Sequence, residues 1–498
     1  MTPCRRAAAP AVLACLALAA CDGPVDESPA LGAFSPCADE PALECATFDL
    51  PLIHGSKDER RTLADVVRWP ALRADPAMSG SAEGASDDDA PRLLVVLADD
   101  PGASGADAVR ALHAADALPW ALRERHDVVG LARRGLGTGD RVDCGRLGLD
   151  APAGARLDAD GLAARAVRAA RVADACEAEY GRRLKWLGTH AAVQDVNALR
   201  EALGAPIASL LARGYGTRLA ALHLVRYPRT SGRVVLDGSV PPDGDPVRWA
   251  GDRARALQRS LDALLAGCGA VRPGCDPDAV GAALEARARR PRTAEERRAE
   301  DRLDALLLRA AEAPDLGALA LPVIVDAALD GATGPVDAFL ATFAGADGPG
   351  STGAGATVAR AVRCADDVAR PSADGLAAAF AALAATAPTF AGAALAPVAD
   401  CAGWPSALVP IRPLGTERAP PALVVGGLGD ARAPIAWGEA MAEAIGAVHL
   451  DSDHAGHGAV FTGASACVDA LALAYLLDGT LPVGASCTSG PDGEGEGR

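Results

Sequence analysis

The chain has 498 residues, half of them apolar, which is enough to bury one large core or two smaller ones. Charged residues make up 23%, an ordinary share for a globular protein that excludes wholesale disorder. A net charge of -17, spread along the chain, excludes nucleic acid as a partner, because phosphate binding needs clustered Lys and Arg.

In chain order, residues 1–20 read as an export signal. Arg5 and Arg6 form a positive start, and Ala7 to Ala19 form an apolar run too short to span a membrane. The closing Leu18-Ala19-Ala20-Cys21 resembles a bacterial lipobox, which implies cleavage before Cys21 and a lipid on that cysteine. The alternative is an ordinary signal peptide followed by a chance cysteine. Asp22 to Pro36 is rich in Pro, Ser and Asp, so residues 21–40 are expected to form a tether.

Beyond it, short β-rich runs alternate with longer helical patterns, as in a mostly parallel sheet covered by helices on both faces. Strands are expected at Ala46–Ile53, Thr62–Trp69, Arg92–Ala98, Asp127–Leu131, Ile207–Ala212, Arg233–Asp237, Ala422–Gly426 and Ala447–Leu450, the first two pairing as an antiparallel edge. Helices are expected at Asp160–Tyr180, Val193–Leu203, Thr217–Tyr227 and Pro434–Ile445. Between Pro242 and Pro405 the strand signals disappear, and Ala/Leu/Arg/Glu-rich stretches such as Thr293–Ala311 and Gly375–Ala387 predict helices. This divides the chain into a core at 41–242 and 406–487 and an inserted helical cap at 243–405. Gly345–Gly355 reads as loop within the cap, and 488–498 as a Gly/Glu-rich disordered tail.

Of the thirteen cysteines, Cys4 and Cys15 leave with the signal and Cys21 takes the lipid. Ten remain: Cys37, Cys45, Cys144, Cys176, Cys268, Cys275, Cys364, Cys401, Cys467 and Cys487. An even number in an exported chain points to disulfides, and taken in order they fall into five local pairs. None has the CxxC spacing of a zinc site.

Several motifs, in order and spacing, resemble secreted tripeptidyl-aminopeptidase-like hydrolases, relatives of proline iminopeptidase. They are Gly214-Tyr215-Gly216-Thr217, Tyr227-Pro228 and Val235-Leu236-Asp237-Gly238, then Arg363-Cys364-Ala365-Asp366-Asp367, Cys401-Ala402-Gly403-Trp404-Pro405, the stretch Gly427 to Pro434, and Gly456-His457-Gly458. The resemblance implies an α/β-hydrolase fold and a serine hydrolase's order of nucleophile, acid and base along the chain. Carried over, the acid is Asp430 and the base is His457.

The nucleophile is missing. The elbow pattern Gly-x-Ser-x-Gly aligns with Ala212-Arg213-Gly214-Tyr215-Gly216, so the serine position is Gly214. Thr217 already matches the family pattern, and Ser209 lies in the preceding strand. The oxyanion loop, Gly-Gly-Pro-Gly in the family, reads Asp99-Asp100-Pro101-Gly102 and works together with Tyr215. Two carboxylates there would oppose the charge that an oxyanion hole stabilises. A third departure is Ala132-Arg133-Arg134-Gly135, where the family has Asp at the first position.

These residues predict an exported protein, lipid-anchored to the bacterial cell envelope, that touches membrane through Cys21 only. Its capped cleft is expected to bind a peptide or small-molecule ligand without catalysis and without cofactor or metal. One rival is an active hydrolase releasing N-terminal peptides or cleaving esters or amides. Another is a water- or metal-assisted hydrolase using Asp99, Asp100 and His457. A retained structural hydrogen bond is the simpler role for Asp430 and His457, and His454 is expected in the loop beside them.

Overall fold

The computed structural model describes residues 28–57, 60–72, 92–147, 157–288, 293–342, 353–405 and 420–488. The expected signal, Cys21 and, apart from Thr488, the expected tail lie outside the described residues.

Eleven strands of one sheet are described. In chain order they are β1 (Ala30–Leu31), β2 (Ser35–Pro36), β3 (Glu44–Pro51), β4 (Arg61–Trp69), β5 (Arg92–Leu97), β6 (His126–Leu131), β7 (Ala208–Arg213), β8 (Ser231–Asp237), β9 (Leu423–Gly429), β10 (Val448–Ala455) and β11 (Ser486–Cys487). Their spatial order is β1-β3-β4-β6-β5-β7-β8-β9-β10-β11, with β2 also on β3. Every pairing from β6 to β11 is parallel, while β1 to β4 and the β4–β6 step are antiparallel. This is the α/β-hydrolase architecture, a mostly parallel sheet with helices on both faces.

Strand β5 shows why. Its sequence Arg-Leu-Leu-Val-Val-Leu is an unbroken apolar run, as a strand covered on both faces requires. Leu93, Val95 and Leu97 join one core with Val193, Leu199 and Leu219 of the helices Thr189–Ala202 and Gly216–Arg226. Leu94 and Val96 face the other way and join Val109, Val468 and Leu476 of Gly105–Ala114 and Ala466–Asp478. Period-two alternation thus feeds two cores from one strand.

Each expected strand and helix is present with its ends shifted by a few residues, and β3 pairs with β4 antiparallel over eight positions. Four readings are corrected. β1 and β2 lie inside the expected tether and pair with β3, so residues from Ala30 onward belong to the sheet. Gly353 to Gly355 open the helix Gly353–Asp366 and are not loop. Strand β10 runs on to Ala455, so His454 is a buried strand residue, its Nδ1 3.1 Å from Ser452 Oγ. The helices Gly105–Ala114 and Ala466–Asp478 were not anticipated.

Between β8 and β9 the described chain is helical, from Pro246–Leu265 to Ala391–Ala399, around its own core of Leu257, Leu306, Ile324 and Phe390. The five pairs formed by taking the ten cysteines in order are the disulfides: Cys37–Cys45, Cys144–Cys176, Cys268–Cys275, Cys364–Cys401 and Cys467–Cys487. Five disulfides fit an oxidising compartment and hence an exported protein.

Candidate active site

The candidate residues sit where parallel strands end. Asp99 and Asp100 follow β5, Gly214 follows β7, Asp430 follows β9 and His457 follows β10. Loops at the carboxyl ends of such strands form the usual ligand crevice of an α/β sheet. Here Asp99, Asp100, Gly214, Tyr215 and His457 line one cavity of about 210 Å³ beneath the cap.

The acid and base positions meet: His457 Nδ1 is 2.7 Å from Asp430 Oδ2. Asp430 is itself held by the backbone N–H groups of Arg432 and Ala433, which donate to its Oδ1 at 2.9 and 2.8 Å. The histidine loop is fixed from below by Asp237. Its carboxylate accepts from the N–H groups of Ala459 and Val460 and, at 3.0 Å, from Arg213 Nε beside the elbow. Gly238 lets the imidazole come close, since a Cβ there would lie 2.7 Å from His457 Cε1.

The second nitrogen of His457 meets a carboxylate. Its Nε2 lies 3.2 Å from Asp99 Oδ1, and Arg432 Nη1 lies 3.0 Å from Asp99 Oδ2. Gly214 has φ +51°, a left-handed conformation that glycine adopts freely. A Cβ built on it would fall 1.8 Å from Asp99 Oδ1. The Asp99 carboxylate therefore fills the space that a side chain at position 214 would take. The Asp99 main chain is engaged as well, because Tyr215 N–H donates to Asp99 C=O at 2.6 Å. In a serine hydrolase the N–H after the nucleophile serves the oxyanion. Asp100 does not share this position; its Oδ1 accepts from Gly102 N–H at 2.7 Å and shapes the loop.

Burial alone would make His457 less basic, but the carboxylates of Asp430 and Asp99 outweigh it and push the pKa up to about 9. Burial alone would raise Asp99, yet His457, Arg432 and Arg213 hold it far below the usual carboxylate range. Around neutral pH the arrangement is an imidazolium clamped between two carboxylates. A protonated imidazole cannot accept a proton from a nucleophile or water.

Ser239 Oγ, one residue beyond Gly238, is buried without a hydrogen-bond partner among the described residues, whereas three other hydroxyls near the elbow are engaged. Thr217 Oγ1 donates to Gly214 C=O at 2.6 Å, and Ser209 Oγ accepts from Arg233 N–H within the sheet. Tyr215 Oη donates to Asp366 Oδ2 at 2.7 Å, and fully buried Arg218 donates to Asp367 Oδ1 at 3.1 Å. Burial pushes Asp367 up to about 6, against the pull of Arg218. Among the described residues no group of three or more His, Cys, Asp or Glu is arranged to hold a metal ion.

Arg432, Arg213 and Asp237 are site residues that sequence reasoning missed. So were Trp249 and Trp437, whose rings stand 6.3 Å apart on the cavity wall. Position gave the signal for all three charged residues: Arg432 lies two residues after Asp430, and Arg213 and Asp237 stand inside the quoted motifs. The tryptophans carried none.

Residues 387–487 match the family described as TAP-like protein. The chain is 26% identical over 237 residues to serine protease Hip1 of Mycobacterium tuberculosis and of Mycobacterium bovis. That match takes in 46% of this chain and 42% of Hip1, so the chain spans under half the length of the curated relatives it matches. Among solved structures, a proline iminopeptidase-related protein of Thermus thermophilus is 16% identical, with 85% of this chain and 88% of that one covered at a TM-score of 0.29. An esterase from Exiguobacterium antarcticum is 13% identical over 84% and 90%, at a TM-score of 0.31. Residues 387–487 thus carry a TAP-like segment on an α/β-hydrolase fold, and Gly214 stands where the sequence resemblance would put a nucleophile serine.

Proposed function

We propose that this protein is an exported, lipid-anchored hydrolase relative that has lost acyl transfer and uses its capped cleft to bind a peptide or small ligand. The observation that carries this reading is the position of Asp99. Its carboxylate stands against His457 where a serine would stand, and its carbonyl takes the Tyr215 N–H. Nucleophile, base and oxyanion donor are thereby disabled together. In serine hydrolases, loss of the nucleophile alone costs on the order of a million-fold in rate. Sequence similarity to Hip1 over 237 residues does not by itself supply activity.

The rival is hydrolysis by water that His457 activates, with or without a metal. His457 Nε2 would have to release Asp99 first, and Arg432 places a fixed positive charge beside the carboxylate that a metal would need. The test is hydrolysis of tripeptide, aminoacyl and short-acyl chromogenic substrates by protein starting at Asp22, beside His457→Ala and an EDTA-treated sample. The expected result is no turnover above the His457→Ala background. Wild-type turnover that His457→Ala abolishes overturns the reading, and EDTA sensitivity would then assign a metal route.

A further inference from the structure

The cavity beneath the cap has a neighbour. A second cavity of about 370 Å³ shares the wall residues Arg253, Arg363, Ala394 and Pro397 with the first, of about 210 Å³. Together they reach the size of ordinary small-molecule sites, roughly 300–1,000 Å³. Both are lined largely by apolar side chains: Val240, Trp249 and Trp437 in the first, Leu257, Leu307 and Phe390 in the second.

The charges on these walls are nearly all matched. Arg432 is paired with Asp99, His457 with Asp99 and Asp430, Arg253 with Glu312, Asp367 with Arg218 and Arg165 with Asp400. Asp301 and Asp304 on the wall of the second cavity have partners of their own. The exception among the cations is Arg363. Its guanidinium makes no hydrogen bond or ion pair among the described residues, although it lines both cavities where they meet. Beside it, Arg253 keeps a buried Nε with no hydrogen-bond partner.

We propose that the two cavities form one bipartite site for an apolar monocarboxylic acid, anchored through its carboxylate by Arg363. This rests on the binding reading above. One unmatched guanidinium balances one negative charge, and its planar fork suits a carboxylate held by two parallel hydrogen bonds. A dianion would leave a surplus negative charge facing Asp100 in the first cavity and Asp301 and Asp304 in the second. The same carboxylates disfavour an acid group deep in either cavity, which puts it at the neck and the apolar body against the tryptophans or Phe390. An acyl acid and the C-terminus of a short acylated peptide share this chemistry.

Isothermal titration of the purified, disulfide-intact protein separates them, with tryptophan emission as a second signal. The probes are octanoate and N-acetyl-phenylalanyl-leucine, each beside its methyl ester, with octylamine and octyl phosphate as charge controls. Saturable binding is expected for an acid, at least tenfold tighter than for its ester, and the acid that binds identifies the source. Arg363→Ala should weaken acid binding about 10- to 100-fold, the worth of a charge-assisted hydrogen bond, and leave ester binding unchanged. Arg363→Lys should retain part of the preference, and melting curves establish that both variants fold. The proposal fails if acid and ester bind alike, if octylamine or octyl phosphate binds better than the acids, if no acid binds, or if Arg363→Ala leaves acid affinity intact. Binding that ignores Arg363 but is lost in Trp249→Ala would remove this assignment and leave the binding role standing. Catalytic turnover would overturn the binding role itself.

Discussion

Asp99 and Gly214 depend on each other: the Asp99 Oδ1 atom lies 1.8 Å from where a Cβ on residue 214 would be. The two departures from the family pattern thus form one structural change. Once the carboxylate turns inward, held by His457 and Arg432, only glycine fits at the elbow. Its φ of +51° adds a second reason, since side chains there cost about 1–3 kcal/mol in strain.

Gly214→Ala should therefore lower the melting temperature, through both strain and collision. Asp99→Gly/Gly214→Ala should recover part of that loss, because the collision disappears and only the strain remains. Thermal unfolding of the single and double variants checks the coupling, and simple additivity would contradict it.

Stability should also depend on pH in the neutral-to-alkaline range. His457 has a folded-state pKa of about 9, above its ordinary value of 6.5. A raised value means that the folded state holds the proton more tightly. Its contribution is fully present below about 6.5 and is lost as pH rises through about 9. The shift corresponds to roughly 3 kcal/mol. Denaturant unfolding from pH 6 to 10 should show this decline, and His457→Gln should flatten it. NMR titration of His457 should give a lower pKa in Asp99→Asn, because one of its two carboxylates has become neutral.

How far was this legible from sequence? Strands such as Arg92–Leu97 were, because a strand buried on both faces must be an apolar run. The two-residue strands Ala30–Leu31 and Ser35–Pro36 were not, since the neighbouring Glu44–Pro51 strand makes them strands. The helix Ala466–Asp478 hides for another reason: leucines at 471, 473, 476 and 477 surround it, leaving no clean amphipathic period. At the site, the residue types at 99, 214, 430 and 457 were readable from the motif. The inward turn of Asp99 was not, because it rests on Arg432 and His457, which come from two other loops.

Within the cap, the Cys364–Cys401 disulfide should fix the helix Gly353–Asp366 against the segment at Cys401, closing a 37-residue separation on the cleft side. Cys401 itself lines the cavity. Replacing both cysteines with serine should cost about 3–4 kcal/mol on the chain-entropy estimate. Unfolding of that variant beside the wild type, together with titration of whichever acid binds the wild type, should show lower stability and weaker binding.

Lipid attachment is tested in cells. Expression in a bacterial host with labelled palmitate should mark the wild type and send it to the detergent phase. Cys21→Ser should be unlabelled, and labelling of that variant would move the anchor elsewhere.

The most direct test of the central claim is turnover of the chromogenic substrate panel by Gly214→Ser, Asp99→Gly and Asp99→Gly/Gly214→Ser. The account predicts that both single variants stay silent, the first because its hydroxyl collides with Asp99 and the second for want of a nucleophile. The double variant should gain turnover that His457→Ala abolishes. Activity in Gly214→Ser alone, equal to that of the double variant, would contradict it, because Asp99 would then not occupy the nucleophile's place.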